Sequence, residues 1–425
     1  MSIAVSAPGK VLLAGGYLVL DKNYSGLVFG LTARIHTIST ISASEAGTIV
    51  VRSPQFSNAT WTYTASPSKN GASVEQVTDK DSSDNTFIET AIRYVLSYLS
   101  LSKIPSSEIA ILADNDYYSQ PASTTPPQRF NNLNVPLSAA HKTGLGSSAA
   151  LVTSLTACLL QMYSPTPFQL SVSSNLTKIH NLSQAAHCAA QGKVGSGFDV
   201  AAAVFGSCVY RRFSPSILQS LPEANTVGFS QELREAVDRN WDMGIEKTEI
   251  PKGMRVIMGD VDCGSSTPGM VKKVLTWRES EKEAAGEQWD ELERVNRKLI
   301  SLLAQLSEGS HDSVRRQILD IRKNLRAMGG AADVPIEPEE QTKLLDAVST
   351  DVPGVLGGVV PGAGGYDAVA FIIKDDEETV TALKEFLAKW DHGKVKALET
   401  REEQEGVRVE QVKQYEGFGS YLKLT

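Results

Sequence analysis

Residues 142–150 read Lys-Thr-Gly-Leu-Gly-Ser-Ser-Ala-Ala and stand directly before a run that favours a helix. Glycines let the backbone take a positive φ and approach a ligand without a Cβ in the way. A helix that begins beside them directs unpaired amides and the positive end of its dipole outward. This combination is typical of an anion site, and phosphate is the usual occupant. Considered alone, the loop fits a serine-capped tight turn equally well.

The loop differs from two common nucleotide-binding loops. It is not a Walker A motif, since the pattern GxxxxGK[ST] is absent, and it lacks the GxGxxG of dinucleotide folds. Its candidates for phosphate binding, through backbone amides, hydroxyls or charge, are Lys142, Gly144, Leu145, Gly146, Ser147, Ser148 and Ala149.

A single cation lies in an apolar stretch near the start of the chain. Residues 6–21, SAPGKVLLAGGYLVLD, contain Lys10 and no other basic residue. We expect short strands over 3–6 and 11–13, joined by a turn at Pro8 and Gly9. An ammonium that points inward from this hairpin needs a partner or a ligand, whereas a surface lysine needs neither.

An acidic residue that could be this partner follows a second glycine loop. Asp199 stands in residues 195–203, GSGFDVAAA, between flexible glycines and a run of small residues. Considered alone, an aspartate here is typical of a helix N-cap. Beside Lys10, whose charge would favour the ionised carboxylate, it could accept a hydroxyl proton during phosphoryl transfer.

With a third loop, these segments point to a superfamily. APGK (residues 7–10), GLGSSAA (144–150) and PGAGGYDA (361–368) resemble, in this order, the three motifs of the GHMP kinases, named for galactokinase, homoserine kinase, mevalonate kinase and phosphomevalonate kinase. The resemblance implies an α+β, GHMP kinase-like two-domain fold. Its amino-terminal domain would be like ribosomal protein S5 domain 2, and its carboxy-terminal domain ferredoxin-like.

Residues 15–21, GGYLVLD, stand where mevalonate kinases have a Gly-Glu-His signature. This stretch, residues 114–119 and residues 186–193 resemble the phosphomevalonate kinases of fungi and plants. The resemblance implies transfer of the γ-phosphate of ATP to (R)-5-phosphomevalonate in isoprenoid and sterol synthesis. The products would be (R)-5-diphosphomevalonate and ADP, and Mg²⁺ would accompany ATP.

The resemblance also implies roles for individual residues. Lys10 and Asp199 would form the catalytic pair, Ser147 would bind the phosphates, and Ser148 would reach Mg²⁺. Mevalonate kinases have a magnesium-binding Glu upstream of the catalytic Asp, but residues 185–197 contain no carboxylate. Nucleotide oxygens, Ser148 and water would then hold the ion.

The acceptor carries a phosphate of its own, so its site needs donors or cations beyond those that serve ATP. Residues 264–268 are similar to a Ser-Thr loop of phosphomevalonate kinases, although a simple turn into a helix also fits. The candidates for substrate binding are Lys10, Tyr17, Ser196, Ser265, Ser266 and Thr267.

Several other side chains stay open to two interpretations. Asn115 could border the adenine, or its loop could be held by aromatic anchors. His141, Lys142 and Lys193 could assist either phosphate. The six histidines form no HxH or HExxH pattern, which favours structural roles.

Length and composition restrict the remaining possibilities. The 425 residues suit two domains, for which we expect an ATP-binding domain over 1–228 and a carboxy-terminal domain over 229–425. The net charge of −8 argues against nucleic acid as a partner. Four cysteines without CxxC spacing suit a reducing compartment, and no targeting or membrane-spanning segment is visible. We expect a cytoplasmic monomer or homodimer without membrane contact.

Hydrophobic periodicity predicts the main elements. Residues 65–85 are polar and Ser-rich, so we expect a loop there, and residues 214–250 resemble a junction between the halves. The expected helices cover 86–101, 148–162, 173–191, 289–306, 313–328 and 379–390, and the expected strands include 31–41, 108–112, 255–261 and 368–373.

Two alternatives to a phosphomevalonate kinase stay open. The first is a GHMP kinase that phosphorylates an unphosphorylated acceptor such as mevalonate, which Gly15-Gly16-Tyr17 and the missing Glu disfavour. The second is a non-catalytic relative that binds ligand and regulates partners. The presence of Lys10, Ser148 and Asp199 argues against that alternative.

Overall fold

Two β-sheets and the helices that pack on them make up the protein, which confirms the α+β class. None of the helices in the described part of the chain is both long and apolar enough to cross a lipid bilayer. The computed structural model describes residues 2–77, 84–119, 128–261, 267–307 and 310–415.

The strands are numbered along the chain. They are β1 (Ser2–Ala14), β2 (Ser25–Ile41), β3 (Thr48–Arg52), β4 (Thr60–Ser68), β5 (Gly71–Gln76), β6 (Ser107–Ala113), β7 (Cys208–Arg211), β8 (Gly244–Lys247), β9 (Met254–Val261), β10 (Val355–Val359), β11 (Ala368–Lys374), β12 (Val395–Ala397), β13 (Glu402–Glu403) and β14 (Arg408–Glu410).

The helices are numbered in the same way. They are α1 (Thr86–Leu99), α2 (Ser147–Tyr163), α3 (Ser173–Gln191), α4 (Phe198–Phe205), α5 (Ser216–Gln219), α6 (Phe229–Asp238), α7 (Thr267–Ser280), α8 (Lys282–Ala304), α9 (His311–Ala332), α10 (Glu339–Asp351) and α11 (Glu377–Ala388).

The first sheet runs in the order β14-β1-β2-β6-β3-β4-β5. β7 and β13 also pair with the long strand β2, and β8 pairs with β7. β3 and β6 are parallel, and the other described pairs of this sheet are antiparallel. Strands from both ends of the chain therefore share one sheet, and the expected boundary at residue 228 stays a prediction.

The second sheet is antiparallel, in the order β10-β11-β9-β12. Its strand β11 is buried on both faces. Val369, Phe371 and Ile373 pack in one apolar cluster with residues of α10 and α11, while Ala370 and Ile372 belong to the main core. A strand covered on both sides must be apolar at successive positions, as this one is.

Helix α2 lies at the centre of the first half. It contacts β1, β2, α1, α3 and α4, and most of its residues are buried. A helix surrounded in this way is apolar all round rather than on one stripe. Its amino terminus, which follows the glycine–serine loop, is thereby held in a fixed place.

The expected turn at Pro8 and Gly9 is wrong. β1 continues through both residues, and its pairing with β2 shifts register between them. Proline has no amide proton for a ladder, so it occurs within a strand mainly where a bulge interrupts the pairing. The Pro-Gly pair therefore produces a bulge rather than a hairpin.

The expected loop over 65–85 is also wrong in part. β4 and β5 form a hairpin that reaches Gln76. Trp61, Tyr63, Ala65 and Val74 are buried, while the residues between them face outward and are mostly polar. The outward face of this edge hairpin gave the sequence its loop-like composition.

The six helices expected from periodicity are confirmed, with ends that differ by a few residues. α8 begins at Lys282, seven positions before its expected start at Trp289. α6 and β8 occupy the segment that was interpreted as a junction.

Arg34 ties the end of the described chain to the first sheet. Its side chain is 2% exposed. The guanidinium donates to Ser6 Oγ at 2.7 Å, to the Ser6 carbonyl at 3.2 Å, and to the carbonyls of Gly406 at 2.5 Å and Glu405 at 3.3 Å. Burial lowers the pKa of Arg34 to about 10.

We expect Arg34→Met to lower the free energy of unfolding by about 2–4 kcal/mol, because buried carbonyls lose their donor. Urea unfolding at neutral pH measures the change. Arg294→Met removes a surface guanidinium whose partner, Glu291, is also exposed, and it should leave the midpoint nearly unchanged. Equal losses in the two variants would contradict the role given to Arg34.

Candidate active site

The glycine–serine loop ends where α2 begins. Gly144 and Gly146 both have φ of 79°, a left-handed conformation that glycine adopts without strain. Gly146 is the N-cap residue, and no side chain caps the helix. The first turn of α2 also contains no acidic residue. Its amides and positive dipole end are therefore available to an anion.

Lys10 is held against this loop by two hydrogen bonds. Its backbone amide donates to the Leu145 carbonyl at 2.9 Å, and its ammonium donates to the Gly144 carbonyl at 2.6 Å. A Cβ on Gly146 would lie 3.0 Å from the Lys10 side chain, so glycine at this position, where φ is also positive, leaves room for the close approach. The bulge at Pro8 and Gly9 immediately precedes these contacts, at the place where β1 meets the loop.

Asp199 lies in the first turn of α4. This helix begins directly after Gly197, whose φ is 83°. Its carboxylate accepts a hydrogen bond from the Val200 amide at 2.9 Å. Burial lowers the pKa of the Lys10 ammonium, and the charge of Asp199 opposes this shift. The structure thus brings together the two residues that the sequence analysis paired, although they are far apart along the chain.

The two serines of the loop each have a side-chain partner that the sequence analysis did not select. Ser148 Oγ lies 3.1 Å from His187 Nε2, and Gln191 Nε2 lies 3.3 Å from the same nitrogen. The Ser147 hydroxyl bonds to the Tyr118 hydroxyl, whose pKa burial raises to about 12. Burial lowers the pKa of His187, which favours the neutral imidazole.

Both partners stood in stretches already singled out, residues 186–193 and 114–119. Their roles were missed because a helix period shows that His187 faces inward but not which residue it meets.

A cavity of about 270 Å³, here called the lysine cavity, opens beside Lys10. It lies between β1, the start of α4, the second sheet and the third glycine loop, which is residues 361–365. Its described lining is mostly apolar and includes Lys10, Leu12, Tyr17, Leu20, Gly144, Ser196, Phe198, Met258, Val271, Pro361, Gly362, Ala363 and Asp367.

A second cavity, of about 80 Å³, lies on the other side of the serines and is here called the aromatic cavity. Lys142, Ser147 and Ser148 lie at its boundary. Four aromatic side chains line it: Phe56, Trp61, Phe87 and Tyr118. A flat apolar ring bearing an anionic tail would suit this cavity, with the tail at the helix amino terminus.

The third glycine loop, residues 361–365, is fastened on several sides. Tyr17 Oη donates to the Ala363 carbonyl at 2.8 Å, and the Gly362 amide donates to the Leu12 carbonyl at 3.2 Å. The Gly365 amide donates to the Ile336 carbonyl at 3.0 Å. This loop both lines the lysine cavity and joins it to the second half of the protein.

Three further candidates for ATP binding do not present a side chain to either cavity. Leu145 and Ala149 are both 1% exposed, so they can offer only backbone atoms. The side-chain Nδ2 of Asn115 donates to the Gln128 carbonyl at 2.8 Å, and its Oδ1 accepts from the backbone amide of Asn131 at 2.8 Å. This side chain lines neither cavity. Asn115 thus organises its own loop.

Three candidates for the acceptor site cannot be placed. Ser265 and Ser266 lie outside the described residues. Thr267 begins α7, and its side chain is also outside the described part.

The donor set near the loop can be compared with what a divalent cation needs. The described part of the chain contains no group of three or more His, Cys, Asp or Glu side chains that could hold a metal ion. Mg²⁺ typically keeps several waters and binds substrate phosphates with one or two protein ligands. The Ser148 hydroxyl, in the first turn of α2, fits this second pattern.

We expect Tyr17→Phe to loosen the third glycine loop, because the partly buried Ala363 carbonyl loses its donor. The free energy of unfolding should fall by about 1–2 kcal/mol, the usual cost of such a loss. Hydrogen exchange should rise at the amides of Gly362 and Gly365. Tyr24→Phe is the control, since Tyr24 bonds to Asp290 at the surface. Unchanged exchange in Tyr17→Phe would show that the bond does not hold the loop.

Comparisons with known proteins identify the relatives of this chain. The family model for the GHMP kinases N terminal domain matches residues 130–207, which include the glycine–serine loop and Asp199. A phosphomevalonate kinase of Gibberella zeae is 50% identical over 98% of either chain. The peroxisomal phosphomevalonate kinase of Arabidopsis thaliana is 33% identical over 96% of either chain.

A solved structure shows the same fold. The phosphomevalonate kinase of Streptococcus pneumoniae, in complex with phosphomevalonate and AMPPNP, superposes with a TM-score of 0.67 at 18% identity. The match covers 94% of this chain and 100% of that one. The resemblance inferred from the three motifs is confirmed, and the chain belongs to the phosphomevalonate kinase family of the GHMP kinase superfamily.

Proposed function

We infer that this protein is an ATP-dependent phosphomevalonate kinase of the mevalonate pathway. It transfers the γ-phosphate of ATP to (R)-5-phosphomevalonate and releases (R)-5-diphosphomevalonate and ADP. The identity of 50% over nearly the whole length of a phosphomevalonate kinase supports the acceptor. The observation that carries the mechanism is the position of Lys10, whose ammonium lies on the glycine–serine loop and at the wall of the lysine cavity.

In the reaction, an oxygen of the acceptor phosphate forms a bond to the γ-phosphorus. The bond from that phosphorus to the β,γ-bridging oxygen breaks, and its electron pair stays on ADP. Such a transfer depends mainly on positioning and on neutralising charge. We propose that the aromatic cavity takes the adenine, the amides of Gly144–Ala149 take the phosphates, and the lysine cavity takes phosphomevalonate.

Three side chains have proposed roles at the reacting phosphate. Lys10 neutralises charge on the transferred group, and Asp199 holds the ammonium in place and can accept a proton. Ser148 would hold the Mg²⁺ that ATP brings, and this ion would supply further positive charge to the phosphates. His187 accepts or donates at Ser148 Oγ and thereby orients that hydroxyl.

The acceptor site needs further donors for its own phosphate. Among the described residues that line the lysine cavity, Lys10 is the one cation. Tyr17 and Ser196 line the same cavity, which supports their assignment to the acceptor. Ser265, Ser266 and Thr267 are proposed to complete the acceptor site.

The chemistry of the acceptor alters what Asp199 must do. A phosphate monoester has a second pKa of about 6, so its oxygen carries no proton in most molecules at neutral pH. A base is then needed only for the fraction that is still protonated. An alcohol such as the mevalonate hydroxyl would need a base at every pH in this range.

We expect phosphomevalonate, and not mevalonate, to drive ADP release when a panel of acceptors is assayed. Asp199→Asn should lower kcat by about 10²-fold or more below the second pKa of the acceptor. The deficit should shrink above that pKa, and ATP affinity should stay close to that of the unchanged protein.

Asp242→Asn is the matched control, because it removes a carboxylate that pairs with Lys22 at the surface. Turnover of mevalonate alone would overturn the assignment of the acceptor. Full activity of Asp199→Asn at every pH would exclude Asp199 from the reaction. If the protein without substitutions phosphorylates none of the acceptors, the non-catalytic alternative is favoured.

The charge of the Lys10 ammonium should make kcat/KM depend on pH in the alkaline range. Burial lowers the pKa of Lys10 in the free protein, and only the charged ammonium can neutralise a phosphate. kcat/KM should therefore fall as pH rises, at a lower pH than the usual lysine value of about 10.4 would give. Lys10→Arg should remove this fall at a reduced rate, since a guanidinium stays charged. Lys22→Arg, a surface change, should leave the profile as it was.

The cellular setting stays a prediction. Net charge predicts the absence of nucleic acid partners, and the cysteine spacing favours a reducing compartment such as the cytoplasm. The assembly is proposed to be a monomer or homodimer. The Arabidopsis thaliana relative is named as peroxisomal, and the cytoplasmic location of this protein therefore stays a proposal.

A further inference from the structure

Arg212 joins two segments that form walls of the lysine cavity. It follows β7 and is 9% exposed. Its guanidinium donates to the Leu20 carbonyl at 2.5 Å, to the Gly195 carbonyl at 2.6 Å and to the Val194 carbonyl at 3.1 Å. Arg212 does not line the cavity itself.

The two segments approach the cavity from different parts of the chain. Leu20 lies in the same short turn as Tyr17, and both line the cavity. Val194 and Gly195 lead directly to Ser196 and Phe198, which line the cavity, and to Asp199. The guanidinium thus sets how far the Tyr17 turn lies from the segment that ends at Asp199.

A side chain of β7 itself, that of Tyr210, also binds a carbonyl of this segment. Tyr210 Oη donates to the Ser196 carbonyl at 2.8 Å. Three successive carbonyls, those of residues 194 to 196, are therefore bound from the β7 side. In a trans peptide the N–H points opposite to the C=O, so the amides of Ser196 and Gly197 point away from β7.

The chemistry of this contact suits arginine better than lysine. A planar guanidinium offers several N–H groups in a rigid fork, and it can serve three acceptors on two segments at once. An ammonium on a flexible stem offers a point charge, and it would keep one segment at the expense of the other.

We propose that Arg212 is a positioning residue for phosphoryl transfer, which acts through the carbonyls of Leu20, Val194 and Gly195 to set the Tyr17 turn against the Asp199 segment. The proposal rests on the proposed function, since it assigns the lysine cavity to phosphomevalonate. Arg212 itself touches neither substrate.

The test compares Arg212→Lys and Arg212→Ala with the unchanged protein. Misplacement of reacting groups by about 1 Å can cost about 10²-fold, so we expect kcat/KM for phosphomevalonate to fall by about 10–10²-fold. KM for ATP should change less than about twofold, because the glycine–serine loop does not contact Arg212. Millimolar guanidinium should restore part of the lost kcat in Arg212→Ala, and methylammonium should not.

Arg34→Lys is the matched control. Arg34 is another buried arginine that donates to backbone carbonyls, but it lines neither cavity. The Arg34→Lys substitution should lower the melting temperature, and kcat and both KM values should stay unchanged below that temperature. If Arg212→Ala does not fold, Tyr210→Phe replaces it and should lower kcat/KM for phosphomevalonate several-fold.

Three outcomes separate the possibilities. A fall in melting temperature with unchanged kinetics in the Arg212 variants would overturn the proposal, and so would an equal rise in KM for both substrates. Failure of the unchanged protein to use phosphomevalonate would instead overturn the proposed function, because the same assay contains that sample.

Discussion

The site depends on one contact, the attachment of Lys10 to the glycine–serine loop. The backbone and side chain of this residue both donate to carbonyls of the loop, those of Leu145 and Gly144. An ammonium taken out of water requires such acceptors or an opposite charge. These bonds hold Lys10 at the amino terminus of α2, where the amides of the helix also attract an anion. A bulge in β1 immediately precedes this contact, and the glycine at 146 leaves room for the lysine side chain.

Backbone contacts between distant segments make the rest of the site rigid. The Tyr17 hydroxyl reaches Ala363, 346 positions further along the chain, and Arg212 reaches Leu20 across 192 positions. Each contact uses a side chain to satisfy a partly buried carbonyl, which is costly to leave without a donor. Such contacts give each loop one position instead of several. The cavity walls are therefore supplied by turns, while β1, α2 and the second sheet hold those turns in place.

The sequence was informative where a pattern is local. Periodicity found six of the eleven helices of the described residues, and three motifs identified the superfamily. The glycine-flanked stretch 195–203 supplied Asp199 as the partner of Lys10. The Pro8-Gly9 turn was wrong because a bulge and a turn have the same local composition, and only the pairing with β2 distinguishes them. His187, Tyr118 and Arg212 were missed for a different reason. Their partners are fixed by tertiary packing, so no spacing along the chain reveals them.

The acceptor phosphate shifts the demands on the site from proton transfer to charge. An alcohol acceptor must lose a proton, whereas a phosphate oxygen at neutral pH has already lost it. The reaction instead brings two highly charged phosphate groups together, and their repulsion must be offset by cations and amides. In the proposed mechanism Lys10 and the α2 terminus serve the transferred group, so the acceptor phosphate needs its own donors. The amides of Ser196 and Gly197, turned away from β7 by Arg212 and Tyr210, lie on the segment where such donors would be most effective.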